Sequence, residues 1–183
     1  FGLPIRGGEM VQPWFSKKYW PAPQVKGQVT MAFPFAVETI PAGPITLCIE
    51  RPEHFAIRLN GRTIASDAAG WWIDPALSKV AIPADALVQG DNTLELQMAF
   101  SEDRNIEAIY LIGDFGVRIA GTARTLTRLP EKLAAGDVTG QGLPFYSGAI
   151  RYTVPVDYRP AEGESVFVEL PAFEGACAKV SCE

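Results

Sequence analysis

The sequence predicts an all-β protein, an antiparallel β-sandwich or jelly roll. First, in residues 45–64, ITLCIERPEHFAIRLNGRTI, apolar residues alternate with polar ones on both sides of a Pro-bearing bend. Second, similar runs and Gly/Pro/Asn turns recur about every eight to twelve residues, the rhythm of such folds. Third, apolar residues rarely recur at helical spacing along the chain.

The strongest local signal in this stretch is a predicted hairpin. The Asn-Gly dipeptide at 60–61 tolerates the positive φ angles that a two-residue type I′ turn requires. With such a turn, Leu59 lies opposite Arg62. Ile57 lies opposite Ile64, and these two isoleucines share a face of the sheet. We therefore expect that face to be buried.

The chain before this hairpin divides at residue 28. Residues 1–27 hold several aromatic side chains among Gly, Pro and Lys but show no period of a strand or a helix, so we expect an irregular N-terminal segment. Alternation begins at residue 28 and is interrupted by Pro34. Because proline donates no ladder hydrogen bond, the first strand is expected at a sheet edge or with a bulge at Pro34.

Further strand signals follow the hairpin, and we interpret residues 28–120 as one jelly-roll sandwich. Trp71 and Trp72 are adjacent on an extended segment, so their indoles should point to opposite faces, with at most one in the core. The remaining alternating runs cover residues 79–82, 93–100 and 106–119.

Beyond the sandwich the pattern changes twice. Alternation weakens over residues 121–148, which we expect to form a linker or loop, and it resumes from residue 149. The apolar positions of residues 152–156 repeat those of residues 33–37 at a separation of 119 positions. Glutamate 169 follows glutamate 50 at the same separation, and so does proline 171 after proline 52.

This repeat predicts that residues 149–183 are the opening strands of a second, truncated β-sandwich. Half a sandwich would expose an apolar face and an unpaired strand edge. We therefore expect these strands to dock on the first domain or to self-associate with another copy of the chain. Because the chain also starts without Met, we interpret it as part of a larger polypeptide.

Composition and charge exclude several classes of protein. The net charge of −5, without a cluster of Lys or Arg, disfavours nucleic-acid binding. No apolar run approaches the roughly twenty residues of a membrane span. The three cysteines show no repeated spacing, which favours buried thiols over a disulfide framework or a metal cage. No signal segment is evident, and the sequence leaves the compartment open.

Six short motifs occur in a characteristic order along the chain. They are LCIE at 47–50, FAIRLNG at 55–61, WWID at 71–74, GDNTLEL at 90–96, IYLIGDFG at 109–116 and GLPFYSG at 142–148. Their order resembles the galactose-binding-like jelly roll, the sugar-binding domain of glycoside hydrolase family 2-like and rhamnosidase-like bacterial enzymes. In such enzymes the catalytic acids sit on a separate barrel, so the resemblance implies a non-catalytic module.

The sequence offers no convincing catalytic or cofactor site. Most candidate carboxylates alternate with core residues on strands and should face solvent, whereas glycoside hydrolysis needs an acid of raised pKa and a second carboxylate at a set distance. His54 is the only histidine, so it offers neither a metal trio nor a triad. We predict no catalytic residue, no metal site and no cofactor. Asp67, Asp74 and Asp91 could supply oxygens to a structural Ca²⁺, but their spacing forms no motif.

Carbohydrate binding is the chemistry that the aromatic residues favour. Trp71, Trp72 and Tyr146 offer faces for the C–H surfaces of a pyranose, and Asp74 and Gln141 offer polar groups for its hydroxyls. The alternative reading is structural. In it, Trp72 and the phenylalanine at 145 belong to the core, and Asp74 caps a turn before the proline at 75.

From these residues we expect a non-catalytic carbohydrate-binding or architectural module of a large glycoside hydrolase. The alternative is a ligand-free scaffold or protein-interaction domain. Exposed aromatic side chains in a concave, polar-rimmed site would favour the first hypothesis. Buried indoles beneath a flat surface would favour the second.

Overall fold

The computed structural model describes residues 24–101, 104, 106–170 and 175–181, and it confirms the all-β prediction. In this part of the chain, only three short 3₁₀ turns, at Pro52–His54, Ala84–Ala86 and Thr139–Gln141, are helical. None of these is long or apolar enough to cross a membrane. The strands are β1 (Gly27–Val37), β2 (Ile45–Glu50), β3 (Ala56–Leu59), β4 (Arg62–Ile64), β5 (Ala68–Trp72), β6 (Asp74–Ile82), β7 (Gly90–Phe100), β8 (Tyr110–Ile112), β9 (Gly116–Ala120) and β10 (Ala123–Thr127).

The strands form two sheets that share one apolar core. The larger sheet has the order β4-β3-β7-β1-β10-β9, and the smaller has the order β5-β6-β2-β8. Neighbouring strands are antiparallel except for β1 and β10, which are parallel. Leu47 and Val80 of the smaller sheet and Ile57 and Leu96 of the larger are at most 1% exposed and lie in one cluster. Burial of these facing apolar side chains stabilises the sandwich.

The predicted hairpin has the register that the sequence indicates. Asn60 and Gly61 have φ angles of 53° and 78°, the positive pair of a type I′ turn. Leu59 pairs with Arg62, and Ile57 pairs with Ile64. The prediction succeeded because a two-residue turn fixes register locally, without any distant partner.

Pro34 lies inside β1, and the pairing of this strand leaves room for a residue without an N–H donor. β1 is not a terminal strand of its sheet, and its pairing with β7 runs in even register from Gly27 to Val37. Pro34 lies opposite Thr93, whose N–H and C=O bond to Asn60 on the other side. The Pro34 nitrogen therefore points away from β7. Among the described residues, β10 pairs with β1 only at Ala36 and Val37, so β1 has a locally open side at Pro34.

A buried amide network joins the hairpin turn to the start of β7. Asn92 is 2% exposed, and its side-chain oxygen accepts hydrogen bonds from Asn60 Nδ2 at 2.8 Å and from the Val88 N–H at 3.0 Å. Its Nδ2 donates to the backbone oxygens of Val88 and Gly90, at 2.7 and 2.9 Å. These bonds satisfy an amide that would otherwise destabilise the fold by its burial.

The sandwich extends past Ala120, where the sequence predicts its end. β10 lies in the predicted linker 121–148 and joins β1 and β9 in the larger sheet. Its sequence, ARTLT, has a single buried residue, Leu126, and so lacks the apolar alternation of a strand signal. The chain divides instead into compact units Phe1–Gly148 and Ala149–Glu183.

The structure of the second unit differs from the prediction of strands after residue 149. Residues 149–170 and 175–181 contain no strand, although their apolar residues alternate as predicted. The repeat supplies a physical reason. The corresponding strands, β1 and β2, lie in different sheets of the first unit and pair with β7 and β6 rather than with each other. Two such segments give each other no ladder of backbone hydrogen bonds.

The N-terminal prediction falls almost wholly outside the described residues. Residues 1–23 are not described, and β1 begins at Gly27. The irregular segment predicted for residues 1–27 therefore stays a prediction.

Candidate functional site

The outer face of the smaller sheet carries the strongest candidate site. On β2, Leu47 and Ile49 point into the core, so Cys48 and Glu50 point outward. The register places Lys79 of β6 and Tyr110 of β8 on either side of Cys48, on the same face. Cys48 is nevertheless 0% exposed, so outward side chains cover it.

An aromatic pair lies over this face. The rings of Trp72 and Tyr110 have centroids 5.3 Å apart and planes tilted by 59°. These residues belong to β5 and β8, the two outermost strands of the smaller sheet, so the pair reaches across it. Tilted packing at this distance is favourable for aromatic rings. Tyr110 stays 43% exposed, and Trp72 is half-buried.

A shallow depression adjoins this pair. Its cavity volume is about 120 Å³, well below the ~300–1,000 Å³ of pockets for drug-sized ligands. Three of its side chains are carboxylates, and none is a Lys or Arg. The lining residues are Glu50, Asp74, Leu77, Glu107, Ala108 and Tyr110.

Asp74, which lines the depression, follows an unusually tight turn. Trp72 pairs with Asp74, so only Ile73 connects β5 to β6. Ile73 has a φ of 60° and is 74% exposed, a strained conformation for a β-branched residue. The Asp74 side chain accepts the N–H of Ala76 at 2.8 Å, which fixes the first residues of β6. The turn places Trp72 and Asp74 opposite each other on adjacent strands.

Searches for relatives give no family for this chain. No protein-family model matches it, and no curated protein matches it significantly. The functional argument therefore rests on the site itself.

Two of the five predicted sugar-binding residues belong to this site. Asp74 lines the depression, and Trp72 packs against Tyr110, which also lines it. Trp71 is 55% exposed but pairs with Ser78, the partner of core-facing Ile49, so its side chain points to the other face of the sheet. The alternative that Trp72 belongs to the core is wrong, since the residue is half-buried and lies outside the core cluster. Asp74 caps no helical turn; it is the first residue of a strand.

Gln141 and Tyr146 lie elsewhere, in the segment after β10. This segment contacts the larger sheet, where the Gly142 oxygen accepts the N–H of Val117 on β9. The Gln141 amide bonds to the backbone of Ala134 in both directions and donates to the Asp137 oxygen at 2.7 Å.

The Gln141 amide therefore organises its own loop. Tyr146 is 42% exposed, and its neighbour Phe145, which the structural alternative placed in the core, is 71% exposed. The five predicted residues are therefore not all together. Trp72 and Asp74 lie at the candidate site, Trp71 points to the other face of the smaller sheet, and Gln141 and Tyr146 lie in this loop.

Sequence reasoning missed Tyr110, Glu50 and Glu107 as parts of the site. Tyr110 meets Trp72 only because β8 pairs with β2, a contact between residues more than sixty positions apart. Glu50 was recognised as an outward-facing residue, but its neighbours depended on the strand order. No local signal identifies such a neighbourhood.

The remaining chemistry of this face is limited. Burial raises the pKa of the Cys48 thiol, and the nearby Lys79 charge opposes this in part, so the protonated thiol is favoured. Among the described residues, no group of three or more His, Cys, Asp or Glu side chains is arranged to hold a metal ion, and this includes the aspartates considered for Ca²⁺. The face offers aromatic surfaces and hydrogen-bond acceptors.

Proposed function

We propose that this chain is a non-catalytic carbohydrate-binding module, which serves a larger glycoside hydrolase of the kind its motifs resemble. The observation that carries the proposal is the Trp72–Tyr110 pair beside a carboxylate-lined depression. Aromatic rings and nearby planar acceptors are the two groups that sugar recognition uses together.

Each part of the depression has a role in this proposal. The exposed surface of the aromatic pair contacts the C–H face of a pyranose. The carboxylates of Asp74 and Glu50 accept hydrogen bonds from sugar hydroxyls, and such charge-assisted bonds are strong.

The size of the depression sets the expected strength of binding. At about 120 Å³ and open to solvent, it encloses part of one sugar residue. Binding then buries little surface, and we expect dissociation constants of roughly 0.1–10 mM. Avidity from neighbouring domains of a larger enzyme would raise the effective affinity.

Binding, rather than hydrolysis, is the role that suits these carboxylates. A general acid acquires a raised pKa when an apolar pocket removes it from water. Asp74 is exposed and Glu50 is only half-buried. We therefore assign both residues to hydroxyl recognition.

A glycan array with matched variants tests the proposal. The wild-type chain should bind a defined subset of neutral glycans, and Trp72→Ala should lose at least about tenfold of that binding. Phe145→Ala removes a more exposed aromatic ring from the segment after β10 and should leave binding unchanged. Binding that survives Trp72→Ala, or that disappears in Phe145→Ala, would place any sugar site elsewhere.

The second candidate, a protein-interaction domain, is favoured by one observation. Residues 149–170 expose many large apolar side chains without forming a strand, including Phe167 at 87% and Val154 at 73%. Contiguous exposed apolar surface of this kind is typical of an interaction site. This role belongs to the second unit and does not compete with sugar binding by the first.

A further inference from the structure

Residues 150–158, IRYTVPVDY, have the sequence of a strand without its structure. Val154 and Val156 are 73% and 72% exposed, and no strand is assigned from residue 149 to residue 170. The alternating apolar side chains are suited to one buried face of a sheet. The segment therefore has the side chains of a sheet strand but pairs with no strand among the described residues.

We propose that its partner is the same segment of a second copy of the chain. The two segments pair antiparallel about a two-fold axis at Val154, so that each Val154 lies opposite its counterpart. An isologous strand pair of this kind is the simplest symmetric interface that an extended segment can form. The side chains of the segment itself favour this register.

The apolar residues coincide on one face in this register. Tyr152 lies opposite Val156 of the second copy, and Ile150 lies opposite Tyr158. Both pairs share a face with the central Val154 pair, because side chains alternate along a strand. Pairing thus joins the apolar residues of two copies into one surface.

The charges on the opposite face are complementary. Arg151 lies opposite Asp157 of the second copy, and the two-fold axis creates this pair twice. Centring the axis one residue later, at Pro155, would leave the apolar residues on one face but would set Arg151 opposite Arg159. Directly opposed like charges destabilise a strand pair, whereas opposite charges stabilise it.

Proline 155 also fits this register. When the two Val154 residues form a hydrogen-bonded pair, Pro155 and the opposing Thr153 form a non-hydrogen-bonded pair. The Pro155 nitrogen then points away from the partner strand, where no donor is required. Charge therefore selects the register centred on Val154 over the one centred on Pro155, and both the apolar alternation and the missing donor are compatible with it.

Sedimentation of the full chain with charge-reversal variants tests this inference. We expect wild type to dimerise in the range of about 10–200 µM, since a short strand pair buries less than a standard interface. Arg151→Asp and Asp157→Arg each set like charges opposite each other twice, and each should weaken dimerisation at least about tenfold.

Two further samples separate the register from misfolding. An equimolar mixture of the Arg151→Asp and Asp157→Arg chains restores opposite charges across the axis and should form a heterodimer. The double variant carries both changes in one chain, which restores opposite charges between two identical copies, and it should form a homodimer. A wild-type chain that stays monomeric at about 200 µM overturns the inference. Wild-type dimerisation that neither single variant weakens would also overturn it. So would a failure of both the mixture and the double variant to recover dimerisation.

Discussion

Replacing Asn92 by alanine should destabilise the first unit more than any other single polar substitution in β7. The side chain is 2% exposed and makes four hydrogen bonds, to Asn60, to both backbone groups of Val88 and to the oxygen of Gly90. It connects the hairpin turn to the start of the strand that pairs with both β1 and β3.

The expected magnitude follows from counting these bonds and asking which partners water can reach. A typical bond contributes ~0.5–1.5 kcal/mol net, so complete loss of all four would cost ~2–6 kcal/mol. Val88 and Gly90 are exposed, so water replaces part of what they lose. We therefore expect a loss of about 2–3 kcal/mol in the free energy of unfolding, a large share of the ~5–15 kcal/mol of an ordinary domain.

Urea unfolding of wild type, Asn92→Ala and the neighbouring control Asp91→Ala measures this loss. The midpoint should fall for Asn92→Ala with little change in slope, and it should hardly move for the exposed Asp91. A double-mutant cycle with Asn60→Ala should give a coupling of at least ~0.5 kcal/mol, because the two amides are in contact. A loss below ~0.5 kcal/mol in Asn92→Ala would refute the argument that this network stabilises the fold.

Three further predictions concern packing, thiol chemistry and pH. Gly116→Ala should destabilise the chain by ~1–3 kcal/mol in urea unfolding, because the added Cβ would lie 2.7 Å from Thr127 Oγ1 and 2.8 Å from the Arg128 backbone oxygen. An unchanged midpoint would show that these neighbouring atoms move aside at no cost. A thiol reagent followed by peptide mapping should label the exposed Cys177 rapidly and Cys48 only after denaturation, and equal rates in the native protein would contradict the burial of Cys48. The hydrogen bond from Arg62 lowers the pKa of Asp85, so Asp85→Asn should slightly reduce the free energy of unfolding at neutral pH. The difference between variant and wild type should vanish as the pH falls through that lowered pKa. A difference that persists in acid would have another cause.

The sequence predicted the fold where strand pairing is local. The Asn-Gly turn fixed the β3–β4 hairpin and its register, because two residues determine the geometry of the loop. The prediction from the sequence failed at β10. This polar strand has only Leu126 in the core, and it pairs with β1, which is distant in sequence. The prediction also failed after residue 149, where apolar residues alternate but residues 149–170 and 175–181 form no strand.

The candidate site was predicted in part for the same reason. Trp72 and Asp74 are two residues apart, and the tight turn at Ile73 keeps them together. Gln141 seemed equally suited to a sugar hydroxyl, but its amide is used within its own loop. Tyr110 became part of the site only through the β2–β8 pairing. Residue type indicated the chemistry, and the sheet topology selected which residues share a surface.

An NMR titration of the chain with neutral oligosaccharides tests the central claim most directly. At roughly 1–20 mM sugar, shifts should occur at the indole N–H group of Trp72 and at the amides around Asp74 and Tyr110. The amides around Gln141, on the segment after β10, should not move. Shifts centred on that loop, or an unchanged spectrum across a broad set of sugars, would contradict a carbohydrate site on the outer face of the smaller sheet.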